Sequence, residues 1–79
     1  MIINRSDFSR KTGLGYNITR TLFDRFSIKL VMNFSRYPEY DVTYYDLQNI
    51  KEFLSNRKDK KHTDYSKVIK KIDELCEEM

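Results

Sequence analysis

Basic side chains concentrate in the first part of this 79-residue sequence. Residues 1–62 hold twelve Lys or Arg and seven Asp or Glu, a net charge of +5, whereas residues 63–79 hold three and five, a net charge of −2. Guanidinium and ammonium groups bind phosphate oxygens, and a local basic surface governs association with polyanions more than net charge does. The first part is therefore predicted to bind nucleic acid, although each basic residue alone is better explained as a solvated surface group. The residues that could face one phosphate backbone are Arg5, Arg10, Lys11, Arg25 and Lys29.

Four tyrosines, Tyr37, Tyr40, Tyr44 and Tyr45, form a second chemical cluster in the middle of the chain. Phenol rings stack on unpaired bases when the ligand is a single strand. Core packing is the stronger explanation, because at least two of these rings must face inward to cover a hairpin that the surrounding residues predict.

Motifs for catalysis and metal binding are missing from the sequence. It has no phosphate-cradling glycine loop and no nucleophile elbow, so we expect a non-enzyme with no cofactor and no small-molecule substrate. His62 lacks a nearby His or Cys partner for a metal site. Cys76, the single cysteine, excludes an intrachain disulfide and is interpreted as a small buried hydrophobe. No apolar stretch approaches the roughly 20 residues that span a bilayer, so a cytoplasmic protein without membrane contact is expected.

Two helices are predicted at the start of the chain. Asn4 and Asp7 have the spacing of a capping box, and Gly13 is suited to a left-handed helix stop, so helix 1 is expected over residues 5–12. After a tight glycine-containing turn, an apolar stripe of helical period predicts helix 2 over residues 16–26. That stripe consists of Ile18, Leu22 and Phe26.

The period then changes to the alternation of a half-buried strand, from residue 28 onward. A turn over residues 35–39 and a return strand over residues 40–42 complete a small hairpin. Thr43 and Asp46 repeat the capping box and predict helix 3, which should end near Asn56. The expected inward residues are Ile28, Leu30, Met32 and Phe34 in the strand and Leu47, Ile50, Phe53 and Leu54 in helix 3.

The last third of the chain divides into a polar segment and an amphipathic helix. We predict a domain over residues 1–56, a basic linker over residues 57–63, and a C-terminal helix over residues 64–79 capped by Thr63 or Asp64. The apolar face of this helix must be covered by the domain itself, by a second copy or by another protein. Its candidate residues for a partner or dimer interface are Tyr65, Val68, Ile69, Ile72 and Leu75.

The order helix, tight turn, helix, hairpin, helix ends in the segment VTYYDLQNIKEFL at residues 42–54. Over residues 2–56 this pattern resembles the small winged helix-turn-helix proteins of the excisionase and MerR-like kind from phages and mobile elements. The resemblance implies a mainly α fold with a small β-hairpin, a winged helix-turn-helix plus the C-terminal amphipathic helix. It also implies that helix 2 enters the major groove while the hairpin, or wing, touches the flanking backbone or minor groove. The nucleic-acid-binding residues it implies, together with two from the basic stretch, are Tyr16, Asn17, Thr19, Arg20, Arg10, Lys11, Arg36 and Tyr37, with Phe23 as a further candidate on helix 2.

Two functions follow as expectations. The first is a DNA-binding accessory factor or transcriptional regulator of a phage or mobile element, with duplex DNA as the partner and Arg20 bonding bidentately to guanine. The alternative is a protein-interaction module, a partner or inhibitor of a replication, recombination or nuclease enzyme that also binds single-stranded DNA. The acidic wing residues Glu39 and Asp41 and the apolar face of the C-terminal helix motivate this alternative.

Overall fold

A computed structural model describes residues 1–33, 36–56 and 65–79 of the chain. Within these ranges the fold is mainly helical, with four helices and a small three-stranded antiparallel sheet. The predicted linker at 57–63, Phe34, Ser35 and the predicted cap at Thr63 or Asp64 lie outside the described residues. In chain order the elements are β1 (Ile2–Asn4), α1 (Arg5–Thr12), α2 (Tyr16–Arg25), β2 (Lys29–Met32), β3 (Glu39–Asp41), α3 (Tyr44–Asn56) and α4 (Ser66–Glu78).

The two ends of α1 are held by the residues that the sequence indicated. The Asp7 backbone N–H donates to Asn4 Oδ1 at 2.7 Å, and Asn4 Nδ2 donates to Asp7 Oδ2 at 3.1 Å. At the other end Gly13 adopts φ +81°, and its N–H donates to the Ser9 carbonyl at 2.9 Å. The predicted bounds of helix 1 are therefore confirmed.

The second capping box starts α3 in the same way. The Thr43 N–H donates to Asp46 Oδ2 at 2.9 Å, and the Asp46 N–H donates to Thr43 Oγ1 at 3.1 Å. These bonds satisfy two of the N–H groups that lack partners at a helix start. The helix ends at Asn56, as predicted.

The sheet contains a strand that the sequence analysis missed. β3 lies in the centre and pairs antiparallel with β1 on one side and β2 on the other, so that Ile3 and Leu30 both face Tyr40 in register. Beyond β1 the pairing continues, because the Val42 N–H donates to the Met1 carbonyl at 2.8 Å. β1 spans only three residues, which is too short for an alternation of apolar and polar residues to be recognised.

The predicted inward face of the hairpin is wrong for two residues. Leu30 and Met32 are each 45% exposed, although Ile28, just before β2, is buried. β2 lies at the edge of the sheet, and an irregularity in its pairing between Leu30 and Met32 breaks the strict alternation. The return strand also begins one residue earlier than predicted, at Glu39.

The core is one cluster to which all four described helices contribute. Phe23 of α2 connects α1 to the sheet, because the Phe23 ring packs edge-to-face against Phe8 of α1 and against Tyr40 of β3, each at 5.1 Å between ring centres. Thr12 is fully buried, with its hydroxyl donating to the Phe8 carbonyl at 2.8 Å. The fully buried apolar residues are Phe8, Leu22, Val42, Leu47, Ile50 and Ile72.

The apolar face of α4 is covered by the chain itself. The helix packs against α1 and α3, and Lys51 Nζ of α3 bonds to Asp73 Oδ1 at 2.8 Å. The methyl group of Val68 lies 4.0 Å from the position that a Cβ at Gly13 would occupy. Of the proposed partner-interface residues, Ile69 is half-buried, and four are buried in the monomer and unavailable as a free surface. Those four are Tyr65, Val68, Ile72 and Leu75.

Candidate nucleic-acid interface

The orientation of α2 determines which of the predicted contact residues reach solvent. Its buried positions are Thr19, Leu22 and Phe23, which have the i, i+3, i+4 spacing of a helix face on a core. Ile18 and Phe26, which were predicted to share that face with Leu22, are half-buried at its margin. The core therefore lies further toward Thr19 than the apolar residues alone indicated.

Two predicted contact residues of helix 2 are corrected by this orientation. Thr19 is fully buried, and its hydroxyl donates to the Gly15 carbonyl at 3.0 Å, which satisfies the polar group away from water. Phe23 is 2% exposed because it fills the space between Phe8 and Tyr40. Neither side chain can touch a ligand without unfolding part of the core.

Opposite the buried positions, α2 carries four exposed polar side chains that we call the α2 polar face: Asn17, Arg20, Thr21 and Asp24. Successive helical residues are about 100° apart, so these four fall within a sector of roughly 100°. The Thr21 hydroxyl donates back to the Asn17 carbonyl at 2.9 Å. The opposite charges of Arg20 and Asp24 leave the face formally neutral, and its side chains include both hydrogen-bond donors and hydrogen-bond acceptors.

Thr21 and Asp24 of this face were missed in the sequence analysis. The signal that could have found them is the helical period itself, since Asn17, Thr21 and Asp24 are spaced at i, i+4 and i+7. Tyr16, by contrast, was predicted and is exposed by 45% at the first turn of the helix.

Two arginines of the basic stretch are held against aromatic rings. The Arg5 guanidinium lies 5.9 Å from the centre of the Tyr16 ring and 5.6 Å from that of Tyr40. The Arg25 guanidinium lies 4.9 Å from the centre of the Phe53 ring on α3. These cation–π contacts position the side chains within the protein, so neither is the freely extended phosphate ligand that the charge count suggested.

The remaining cations differ in their surroundings. Arg10 is paired with Asp7 one turn earlier on α1. Lys11 lines a cavity of about 450 Å³ that Glu78 and Met79 at the end of α4 also line. Within residues 1–41, the exposed cations that form no ion pair with another described residue and contact no ring are Lys11, Arg20, Lys29 and Arg36, and α4 adds Lys67, Lys70 and Lys71.

The predicted wing presents a mixed surface. Arg36 is exposed, and Tyr37 is exposed by 57%. The acidic residues Glu39 and Asp41 are half-buried, and Asp41 lies 3.5 Å from the N-terminal amine, which offsets part of its charge. The outer strand adds apolar surface, because Val31 is 48% exposed.

The tyrosine cluster faces solvent more than the sequence predicted. Tyr45 is 78% exposed and Tyr44 49%, and their rings meet edge-to-face at 6.1 Å. Tyr40 alone among the four is half-buried, so the expectation that at least two rings face inward is wrong. Tyr44 and Tyr45 lie in the first turn of α3, whose buried positions begin at Leu47.

A groove between α2 and α3 borders the α2 polar face. Two cavities of about 360 Å³ and 200 Å³ share Phe53, which is half-buried rather than fully buried as its place in the predicted core implied. Phe26 meets Phe53 edge-to-face at 6.1 Å on the floor of the larger cavity. Asn17 and Thr21 line the smaller one, so the polar face and the groove share a border.

Further tests of the surface concern metals and membranes. Within residues 1–33, 36–56 and 65–79 no group of three His, Cys, Asp or Glu side chains is arranged to hold a metal ion. The helices of these ranges are too short or too polar to cross a membrane.

No protein-family model matches the chain, and comparisons with curated proteins and with solved structures also find no match.

Proposed function

We propose that the chain binds duplex DNA as a winged helix-turn-helix protein, with α2 in the major groove and the β2–β3 hairpin as the wing. The order α1, tight turn, α2, hairpin, α3 supports this arrangement. Gly13 and Leu14 between the two helices support it further, since the glycine ends α1 and the leucine is buried beneath the turn.

The observation that carries the proposal is the α2 polar face. A helix in the major groove contacts base edges through side chains that donate and accept hydrogen bonds. Asn17 and Arg20 are exposed on one side of α2, and neither side chain bonds to another described residue. In this proposal Arg20 bonds bidentately to the O6 and N7 acceptors of guanine.

Backbone contacts fall to the exposed cations outside α2. Arg36 on the wing and Lys29 at the start of β2 are candidates for the flanking phosphates, with Tyr37 beside Arg36. Arg10 is paired with Asp7, and Arg5 and Arg25 contact aromatic rings, so the proposed binding depends on base contacts more than the charge count suggested. Promoter regulation and support of a recombinase both require such sequence-dependent duplex binding, and neither requires an enzymatic activity from this chain.

The test is fluorescence anisotropy with labelled duplexes obtained by selection from a random-sequence pool. Arg20→Ala should weaken binding to the selected duplex by about 10-fold or more, because a bidentate base contact is lost. Lys70→Ala is the matched control, since Lys70 is an exposed cation on α4, and it should stay within about 2-fold. Both variants are measured at about 50 and 200 mM salt, because the loss of a phosphate contact reduces the salt dependence of the affinity and the loss of a base contact does not. A wild-type protein without measurable affinity for any duplex at low salt contradicts the proposal.

A second candidate function, single-strand binding, is favoured by the exposure of Tyr37, Tyr44 and Tyr45. Exposed rings can stack on successive unpaired bases, and each stacked base is worth about 1–3 kcal/mol. Tyr45→Ala would weaken binding to a single strand and leave duplex binding unchanged. Tighter binding to single strands than to selected duplexes in the same assay would favour this function over the first.

The protein-interaction alternative loses one of the two features that motivated it. That feature was an unassigned apolar face on the C-terminal helix, and Ile72 in the middle of that face is fully buried against the rest of the chain.

A further inference from the structure

Asp24 is an unusual residue for a surface that binds a polyanion. Its carboxylate is exposed in the middle of the α2 polar face, where it would repel a phosphate backbone. No ion pair links it to another described residue, although Arg20 stands one helical turn away. The adjacent cation, Arg25, is drawn to the Phe53 ring at 4.9 Å. The structure therefore leaves the charge of Asp24 without a partner in the described part of the chain.

A carboxylate on such a face can form only one kind of favourable contact with a duplex. Ionised carboxylates accept hydrogen bonds and donate none. In the major groove the donors are the amino groups of cytosine and adenine, and guanine presents only acceptors there. An acidic side chain in this position therefore discriminates among bases and is repelled by the phosphates between them.

We propose that Asp24 is a specificity-determining residue that accepts a hydrogen bond from the N4 amino group of a cytosine in the target site. This inference rests on the proposed function and names the base that one part of the α2 polar face selects. Cytosine is chosen over adenine because Asn17, with a donor and an acceptor, matches the adenine edge better than a carboxylate does. With Arg20 bonding to a guanine and Asp24 to a cytosine, the α2 polar face selects a short site that contains both bases.

The same contact lowers binding to other sequences. At a site without the cytosine amino group, the Asp24 carboxylate loses its solvation and gains no donor. The wild-type protein should therefore prefer cytosine at one position of its site by about 10-fold or more over the other bases. Binding to unrelated duplexes should stay weak because the carboxylate also faces phosphate charge.

The experiment measures affinity for a panel of duplexes that carries every single-base change in the selected site. Asp24→Asn keeps the shape of the side chain and removes the charge. Glu74→Gln is the matched control, because Glu74 is an exposed carboxylate on α4. Thermal unfolding of each variant verifies that the fold is retained.

With Asp24→Asn we expect the preference at that one position to move from cytosine toward adenine, because the amide donates as well as accepts, while preferences elsewhere in the site persist. Affinity for unrelated duplexes should rise, because a repulsive charge is gone. The proposal is overturned if Asp24→Asn strengthens binding to every duplex equally and keeps the cytosine preference, or if it changes nothing. Wild-type binding to duplex without any cytosine preference overturns it as well and leaves the proposed function standing. If the wild type binds no duplex, the proposed function fails and this inference fails with it.

Discussion

Replacing Ile72 with alanine tests whether α4 belongs to the folded core. Ile72 is fully buried where α4 meets the rest of the chain, and the change removes three carbon atoms from its side chain. At about 0.8 kcal/mol for each buried carbon group, the transfer term is roughly 2.4 kcal/mol, and an added cavity term brings the loss to about 2.5–4 kcal/mol. Domains of this size have about 4–12 kcal/mol of stability in total, so the loss is a large part of it.

The assay is reversible unfolding followed by circular dichroism, by heat and by urea, at two protein concentrations about 20-fold apart. The unfolding midpoint should fall by roughly 10–30 °C, since 1 kcal/mol corresponds to about 4–8 °C in a domain of this length. Because the core is formed within one chain, the midpoints should not depend on protein concentration. Lys70→Ala, an exposed change on the same helix, should shift the midpoint little.

Two results would refute this reasoning. A loss below about 1 kcal/mol for Ile72→Ala would mean that α4 contributes little to the folded core. Midpoints that rise with concentration in the wild type and converge in the variant would mean that the apolar face of α4 joins two copies instead.

Three further predictions concern local contacts. Gly13→Ala should destabilise the protein by about 1–2 kcal/mol because φ is +81° there. Gly15→Ala, at φ −64° with open space around it, should cost less than about 1 kcal/mol in the same urea titration, because it only weakens the N-cap of α2. Thr43→Ala should lose about 1 kcal/mol by removing the cap of α3, and Thr43→Ser should retain most of it. The hydrogen bond that Lys51 donates to the Asp73 carboxylate raises the pKa of Lys51 above its ordinary 10.5. From neutral pH up to about 10.5 the pair therefore stabilises the fold fully, and the stability difference between wild type and Lys51→Met should shrink as pH rises through the folded pKa of Lys51.

Local hydrogen bonds explain why the helix bounds were predictable. The capping boxes at Asn4 and Thr43 join residues three positions apart, and the left-handed turn at Gly13 depends on a single missing Cβ. Such interactions are specified by neighbouring residues and persist in any tertiary arrangement. Leu47 and Ile50 were likewise predicted to be buried and are fully buried, because a long amphipathic helix has a clear period.

The position of the sheet was not predictable in this way. β1 is formed because residues 2–4 meet residues 39–41 across most of the domain, and nothing within three residues indicates a partner so distant. Ile3 and Leu30 pair with Tyr40 from opposite edges of the sheet, yet Ile3 is 6% exposed and Leu30 45%. The difference arises because α1 packs against β1, and this coverage depends on how the helices lie on the folded sheet.

By itself the sequence determined the mainly helical architecture, the ends of α1 and α3, and an α2 with one polar side. Only the tertiary structure decided which side of α2 faces the core. Thr19 is buried because the Gly15 carbonyl accepts its hydroxyl and the core lies on that side, and this rotation places Asp24 on the exposed face beside Arg20. It also decided that α4 packs on its own chain, because covering an apolar face depends on which surfaces lie within reach after folding. Periodicity identifies an apolar face, but the free energy of burying it depends on contacts distant in sequence.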